Sequence, residues 1–204
     1  MGNPPPFFLP KKTIMLRIGR AFTLTLACAA LAAQAESDVN SGAGPALSAV
    51  ARLDFRVTVP RILFLRIGRG TNFADNTRVD RVTFGVIAAN VGSAIPVTGV
   101  GSAGPVVARV LGNGGNISFS ARGVVGGLAK GTRRIPWSQI VSSTSGGTLP
   151  HPAIGNGVAG AASALTAVAG LVDQTSTWTF QYSNSTPVEF GTYNGRVTYT
   201  ASMP

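Results

Sequence analysis

The sequence predicts an all-β protein, an antiparallel β-sandwich of the immunoglobulin-like or jelly-roll type, preceded by an export signal. Three observations favour this class. Apolar and polar residues alternate with a period of two in several short runs, Gly, Pro and Asn separate those runs, and no helix–strand alternation occurs. A period of two is the spacing of side chains on one face of a strand. Short strands joined by such turns are typical of antiparallel sandwiches.

The first 35 residues predict a cleavable secretory signal. Basic residues come first, and the uncharged apolar run AFTLTLACAALAA follows at residues 21–33. Ala33-Gln34-Ala35 then matches the small-x-small pattern of signal peptidase sites, with Glu36 as the first mature residue. The apolar run would span about 20 Å as a helix, less than the roughly 30 Å bilayer core. We therefore expect Sec export to the periplasm, the cell surface or the medium. Met15 is an alternative start of a more compact signal.

Behind the signal, the sequence predicts a flexible arm and one domain. Residues 36–48 are small, polar and glycine-containing, as in flexible segments, and residues 49–204 predict a single β-sandwich domain. Cys28 in the signal is the only cysteine of the chain. The exported part therefore has no disulfide to form, and core packing must hold it together.

The strand pattern begins at Ala51, where every second side chain is apolar. The apolar positions of this first strand, predicted to face the core, are Leu53, Phe55, Val57 and Val59. Further strands are predicted over residues 62–67, 79–87, 105–111, 117–121, 137–141, 177–182 and 196–201. The glycine-rich turn at residues 112–115 predicts a hairpin of the two strands beside it. The Ala- and Gly-rich run at 158–172 fits a short helix or a loose strand pair, and we favour a helix over residues 161–168.

The chain closes on the aromatic run Phe180-Gln181-Tyr182 and then on the segment GTYNGRVTYT at residues 191–200. This ending resembles the final hairpin of exported bacterial β-sandwich proteins of the fimbrial-subunit and spore-coat-U type. The resemblance covers about a quarter of the mature chain and implies a sandwich architecture.

No set of residues predicts catalysis, a cofactor or a metal site. Residues 99–104 match G-x-G-x-x-G, but Pro105 and a strand follow where a dinucleotide site needs a helix. His151, the only histidine, lies between two prolines, and we interpret it as an exposed loop residue. The acidic loop at residues 75–80 could form a weak calcium site, but turn formation and charge pairing explain it more simply. We therefore expect a protein that is not an enzyme.

Arginines dominate the charge of the first predicted strand pair. They are Arg52, Arg56, Arg61, Arg66 and Arg69. Guanidinium groups bind planar anions, which makes these residues candidate contacts for an anionic cell-surface glycan. A solvated face that resists aggregation is the simpler alternative. Stacking aromatics are missing from this face, so no nucleic-acid partner is expected.

Two hypotheses of function remain. The first is a non-enzymatic structural or adhesive surface protein, a fimbria-like subunit that joins copies of itself or other surface subunits by β-strand addition. The second is a monomeric periplasmic or secreted module that binds a carbohydrate. Its candidate ligand platform consists of Trp137, Trp178 and Tyr193.

Overall fold

The computed structural model describes residues 36–44, 46–70, 79–102 and 104–204. The predicted signal and residues 75–78 of the acidic loop lie outside the described residues. The described chain is nearly all β, which confirms the predicted fold class, and its only helices are two short 3-10 turns at Ala88–Asn90 and Trp137–Gln139. The strands are β1 Leu63–Ile67, β2 Val82–Thr83, β3 Val97–Thr98, β4 Val100–Gly101, β5 Val106–Gly112, β6 Ile117–Gly123, β7 Leu128–Lys130, β8 Arg133–Ile135, β9 Ile140–Ser145, β10 Ile154–Asn156, β11 Ser163–Leu165, β12 Val172–Tyr182 and β13 Val197–Ser202.

The chain divides into two units, Met1–Val57 and Thr58–Pro204. The described residues of the first unit form neither strand nor helix and are exposed. Their strongest contact is an ion pair in which the guanidinium of Arg52 donates to the carboxylate of Glu36, with Nη2 and Oε1 2.7 Å apart. All the strands belong to the second unit.

Two main sheets build the second unit. The first sheet has the order β1-β5-β12-β3, with β9 also paired to β12, and all its pairs are antiparallel. The second sheet is centred on β6, which pairs with β10 and β11 along one edge and with β13 along the other. Only the β10–β6 pair is parallel.

The core lies between the inward faces of these sheets. Buried side chains alternate along β5, β6 and β12, as the period of two predicts. The cluster consists of Val106, Ala108, Val110, Ile117, Phe119, Leu149, Leu165, Val172, Trp178 and Phe180. The described residues contain no cysteine, so this packing holds the two sheets together without a disulfide.

The predicted hairpin between residues 105 and 121 is wrong, although both of its strands exist. Strand β5 pairs with β1 and β12, whereas β6 pairs only with strands of the second sheet. The turn at residues 112–115 therefore carries the chain from one sheet to the other. Both strands have a buried apolar face, and stacking those faces across the core buries them better than pairing side by side would. The same holds at the end of the chain, where β12 and β13 also lie in different sheets.

Four further predictions of local structure need correction. Residues 51–59 form no strand, and their apolar side chains, predicted to be buried, are between 71% and 86% exposed. Residues 161–168 hold the strand β11 instead of a helix, because its pairing with β6 buries Leu165. The strand predicted at residues 79–87 is shorter, since only Val82–Thr83 pairs as β2. The strand predicted at residues 137–141 is displaced, because the 3-10 turn Trp137–Gln139 comes first and β9 begins at Ile140.

Candidate functional site

The segment from Ala51 to Val59 alternates polar and apolar residues, as a strand does, but pairs with no strand of the described chain. Its apolar side chains are Leu53, Phe55, Val57 and Val59, and Phe55 is the most exposed of them at 86%. Exposed apolar side chains at every second position are typical of a strand whose apolar face packs against another surface. This segment can therefore supply side chains and backbone groups to the edge of a sheet.

Strand β13 is hydrogen-bonded on one side only. The amide of Val124 donates to the carbonyl of Arg196 at 3.1 Å, which makes them a hydrogen-bonded pair of the β6–β13 ladder. Such pairs alternate along an antiparallel ladder, so the even-numbered residues of β13 face β6. The backbone groups of Val197, Tyr199 and Ala201 face away, and no described residue pairs with them.

Strand β1 leaves its outer side open in the same way. The amide of Gly68 donates to the carbonyl of Val107 at 2.7 Å, so the even-numbered residues of β1 face β5. The backbone groups of Leu63, Leu65 and Ile67 face outward, without a hydrogen-bond partner in the described ranges. Each main sheet therefore ends in an unpaired strand.

The two open edges lie close together, since β1 and β13 are neighbours across the sandwich. The partly buried apolar side chains of these two strands and of the residue that follows β13 pack against the core. They are Leu65, Ile67, Tyr199, Ala201 and Met203. We call this region the open edge. It has what an added strand needs, namely unpaired backbone groups and apolar side chains still partly in water.

An aromatic cluster packs against the inner face of β13. The Tyr199 ring lies 6.1 Å from Phe119 and 5.4 Å from Trp178, and its hydroxyl lies 2.8 Å from Nε2 of His151. The imidazole also meets Trp178 and Phe180 edge-on, with centroids 4.7 and 5.2 Å away. The open edge is therefore a rigid template, because a side chain from the middle of β13 is packed into the core.

Burial controls the ionisation of this cluster. It lowers the pKa of His151 to about 4, although the backbone hydrogen bond at Pro152 opposes the shift. Burial also raises the pKa of the Tyr199 hydroxyl. Both side chains are therefore neutral near pH 7. The interpretation of His151 as an exposed loop residue was wrong, because the ring turns inward and packs edge-on against Trp178 and Phe180. The sequence holds no signal for that direction.

A cleft of about 510 Å³ opens on the second unit beside the turn Trp137–Gln139. The segment from His151 to Asn156 forms its other wall. The indole of Trp137 lines it, as the predicted ligand platform requires. Trp178, predicted for the same platform, is only 1% exposed, and that prediction is wrong. Tyr193 is half-buried, with its hydroxyl donating to the carbonyl of Glu189 at 3.0 Å, and is not among the residues lining the cleft.

The five candidate arginines do not share one strand pair. Arg52 and Arg56 precede β1, and Arg52 is occupied by Glu36. Arg61 donates to the carbonyls of Gly114 and Pro204, and only Arg66 lies within a strand. The backbone amide of Arg69 donates to the carboxylate of Asp80 at 2.9 Å. Intramolecular contacts therefore engage the side chains of Arg52 and Arg61, two of the five candidates for an anionic glycan.

Within the described ranges, no three His, Cys, Asp or Glu side chains cluster closely enough to hold a metal ion together. The same part of the chain contains no helix long and apolar enough to cross a bilayer. No protein-family model, curated protein or solved structure matches the chain.

Proposed function

We propose that this chain is an exported, non-enzymatic structural subunit of a cell-surface assembly. In that assembly, residues 51–59 of one copy add as a strand to the open edge of the next. The predicted signal supports export, and the sandwich without disulfides supports a structural role. The observation that carries the proposal is the pair of complementary features on one chain, an unpaired apolar row and an unpaired sheet edge.

The added strand hydrogen-bonds to the outer side of β13. That strand alternates half-buried and exposed residues along its whole length, as expected of an edge with one incompletely covered face. An incoming strand would place alternate apolar side chains over Tyr199 and Ala201. Each large apolar side chain of the donor that becomes fully buried in this way contributes roughly 1.5–3 kcal/mol. The chain is then donor and acceptor at once, and this heterologous contact extends into a fibre when it does not close into a ring.

The test compares two neighbouring positions of the donor segment in the whole protein. Val57→Asp places a charge in the apolar row, and Thr58→Asp places the same charge on the opposite side. We expect Val57→Asp to abolish growth of particle mass with protein concentration in light scattering, and Thr58→Asp to retain it. The proposal fails if the unsubstituted protein stays a monomer at every concentration, or if both variants assemble equally.

A further inference from the structure

The cleft beside Trp137 has the size and the lining of a small-molecule site. Its volume of about 510 Å³ lies within the roughly 300–1,000 Å³ of typical ligand sites. The lining combines apolar and hydroxyl groups, and its most informative members are Trp137, Ser138, Ser142, His151, Ile154 and Asn156. Of these residues, only His151 contacts the open edge, through the hydroxyl of Tyr199. The cleft therefore needs an explanation of its own.

The indole of Trp137 is held rigidly in the cleft wall. Its Nε1 donates to the carbonyl of Val124 at 2.8 Å. The ring also packs onto bare backbone, because a Cβ atom added at Gly123 would lie 2.2 Å from Nε1 and one at Gly195 2.9 Å from Cη2. The indole therefore packs directly against Gly123 and Gly195, and a side chain at either position would displace it. A ring fixed in this way loses little conformational entropy when a ligand stacks on it.

The polar groups of the lining are neutral and available. Asn156 accepts the amide of Gly126 through Oδ1 at 2.6 Å, which leaves its amide nitrogen free to donate. The hydroxyls of Ser138 and Ser142 have no hydrogen-bond partner among the described residues. The described residues that line the cleft include no Lys, Arg, Asp or Glu, and burial keeps His151 uncharged near pH 7.

These properties exclude two ligand classes. An ionic ligand would lose its hydration without meeting an opposite charge, which costs several kcal/mol. A pure hydrocarbon would leave the serine and asparagine groups without partners, at about 1–3 kcal/mol for each buried group. The remaining class presents an apolar face to a ring and hydroxyl groups to its surroundings.

We propose that this cleft binds a neutral saccharide unit, with a sugar ring stacked on Trp137 and its hydroxyls hydrogen-bonded to Ser138, Ser142 and Asn156. The inference does not rest on strand addition, since the open edge shares none of these residues. It also differs from the anionic glycan considered for the arginines, because the cleft holds no cation.

The test fills the cleft without touching its aromatic wall. Ser142→Phe places a ring in the cleft from strand β9, and Ser143→Phe places the same ring on the opposite face of that strand, where Ser143 is exposed. Ser138→Phe is a second occluding variant from the turn. Binding of glucose, galactose, mannose, N-acetylglucosamine and their short oligomers is followed by titration calorimetry and tryptophan fluorescence. Glucuronic acid serves as the charged probe.

We expect at least one neutral sugar to bind saturably and to change the emission of Trp137, since the other tryptophan, Trp178, is buried. Both occluding variants should weaken that binding at least about tenfold, and Ser143→Phe should leave it within about twofold. Thermal unfolding checks that each variant is folded. The proposal is overturned if no neutral sugar of the panel binds, if glucuronic acid binds more tightly, or if folded occluding variants bind normally.

Discussion

Phe119 and Phe55 occupy opposite environments in the same chain. Phe119 is fully buried between Trp178 and Tyr199, and Phe55 is 86% exposed. Phe119→Ala should lower the free energy of unfolding by about 3–5 kcal/mol, because it leaves a cavity in the core. Phe55→Ala should change that free energy by less than about 0.5 kcal/mol in dilute monomer. Urea unfolding measures both, and equal losses would place Phe55 in the core after all.

His151 should make the stability of the protein depend on pH. Its pKa is about 4 in the folded protein, against 6.5 in an exposed chain. Between these values the unfolded chain binds more protons than the folded one, so protonation favours unfolding. The stabilisation is fully present above about pH 6.5 and is lost as the pH falls towards 4. The shift corresponds to about 3 kcal/mol over that window.

The matched variant for this pH effect is His151→Gln. Its amide can still hydrogen-bond to the hydroxyl of Tyr199 but does not titrate. Urea unfolding at pH 7.5, 6, 5 and 4.5 should show a steeper loss of stability in the unsubstituted protein than in the variant. Parallel curves would mean that the imidazole is accessible to solvent and that other groups cause the acid sensitivity.

At the scale of single elements, the free side of β13 can be tested by proline. The amide of Ala201 faces away from β6, whereas that of Thr200 donates to it. Proline is tolerated on an edge strand where the lost amide faces solvent. Ala201→Pro should therefore keep the fold but block strand addition. Thr200→Pro should destabilise the monomer by roughly 1–3 kcal/mol, because it removes a hydrogen bond of the β6–β13 ladder.

Circular dichroism shows whether each variant is folded, and light scattering measures its particle mass against protein concentration. The expected result is a folded Ala201→Pro protein that no longer grows in mass with concentration. A folded Ala201→Pro protein that assembles normally would move the acceptor to β1, whose residues Leu63, Leu65 and Ile67 offer the other unpaired edge.

The element patterns also mark what can be predicted from this sequence. Alternation predicted the inward residues of β12 and β13 correctly, because side-chain parity is a local property of a strand. The same alternation at residues 51–59 predicted burial that does not occur. Alternation shows which residues share one face of a strand, but it does not determine which strand pairs with it. The hairpin at residues 105–121 failed for the same reason. Sheet membership depends on contacts distant in sequence.

The candidate site was predictable only in part. Trp137 was named from its residue type, and the structure places it in the wall of the cleft. The donor role of residues 51–59 stays a prediction. The orientation of His151 depends on Trp178 and Tyr199, which reach it from two different sheets. The burial of Trp178 is likewise decided by packing between sheets. No local spacing in the sequence encodes either result.

At the scale of the whole molecule, donor and acceptor should be separable. A protein beginning at Thr58 keeps the whole second unit, including the carbonyl of Pro60 that accepts from the side chain of Asn113 at 2.8 Å. Without residues 36–57 it should remain monomeric, because it lacks most of the donor row. A synthetic peptide of residues 49–59 should then bind one copy per protein molecule.

Peptide binding should also stabilise the shortened protein, since a ligand that binds only the folded state raises its unfolding free energy. At a peptide concentration of 100 times Kd the gain is about 2.7 kcal/mol, seen as a higher midpoint of thermal unfolding. The same peptide with Phe55→Asp should bind much more weakly, because its charge would lie against the half-buried apolar side chains of the open edge. A peptide with Arg56→Asp should bind nearly as well. If the shortened protein unfolds outright, residues 36–57 are an integral part of their own domain. If it folds but does not bind the peptide, while the protein beginning at Glu36 stays a compact monomer, strand addition is refuted. The cleft beside Trp137 then becomes the better basis for a function.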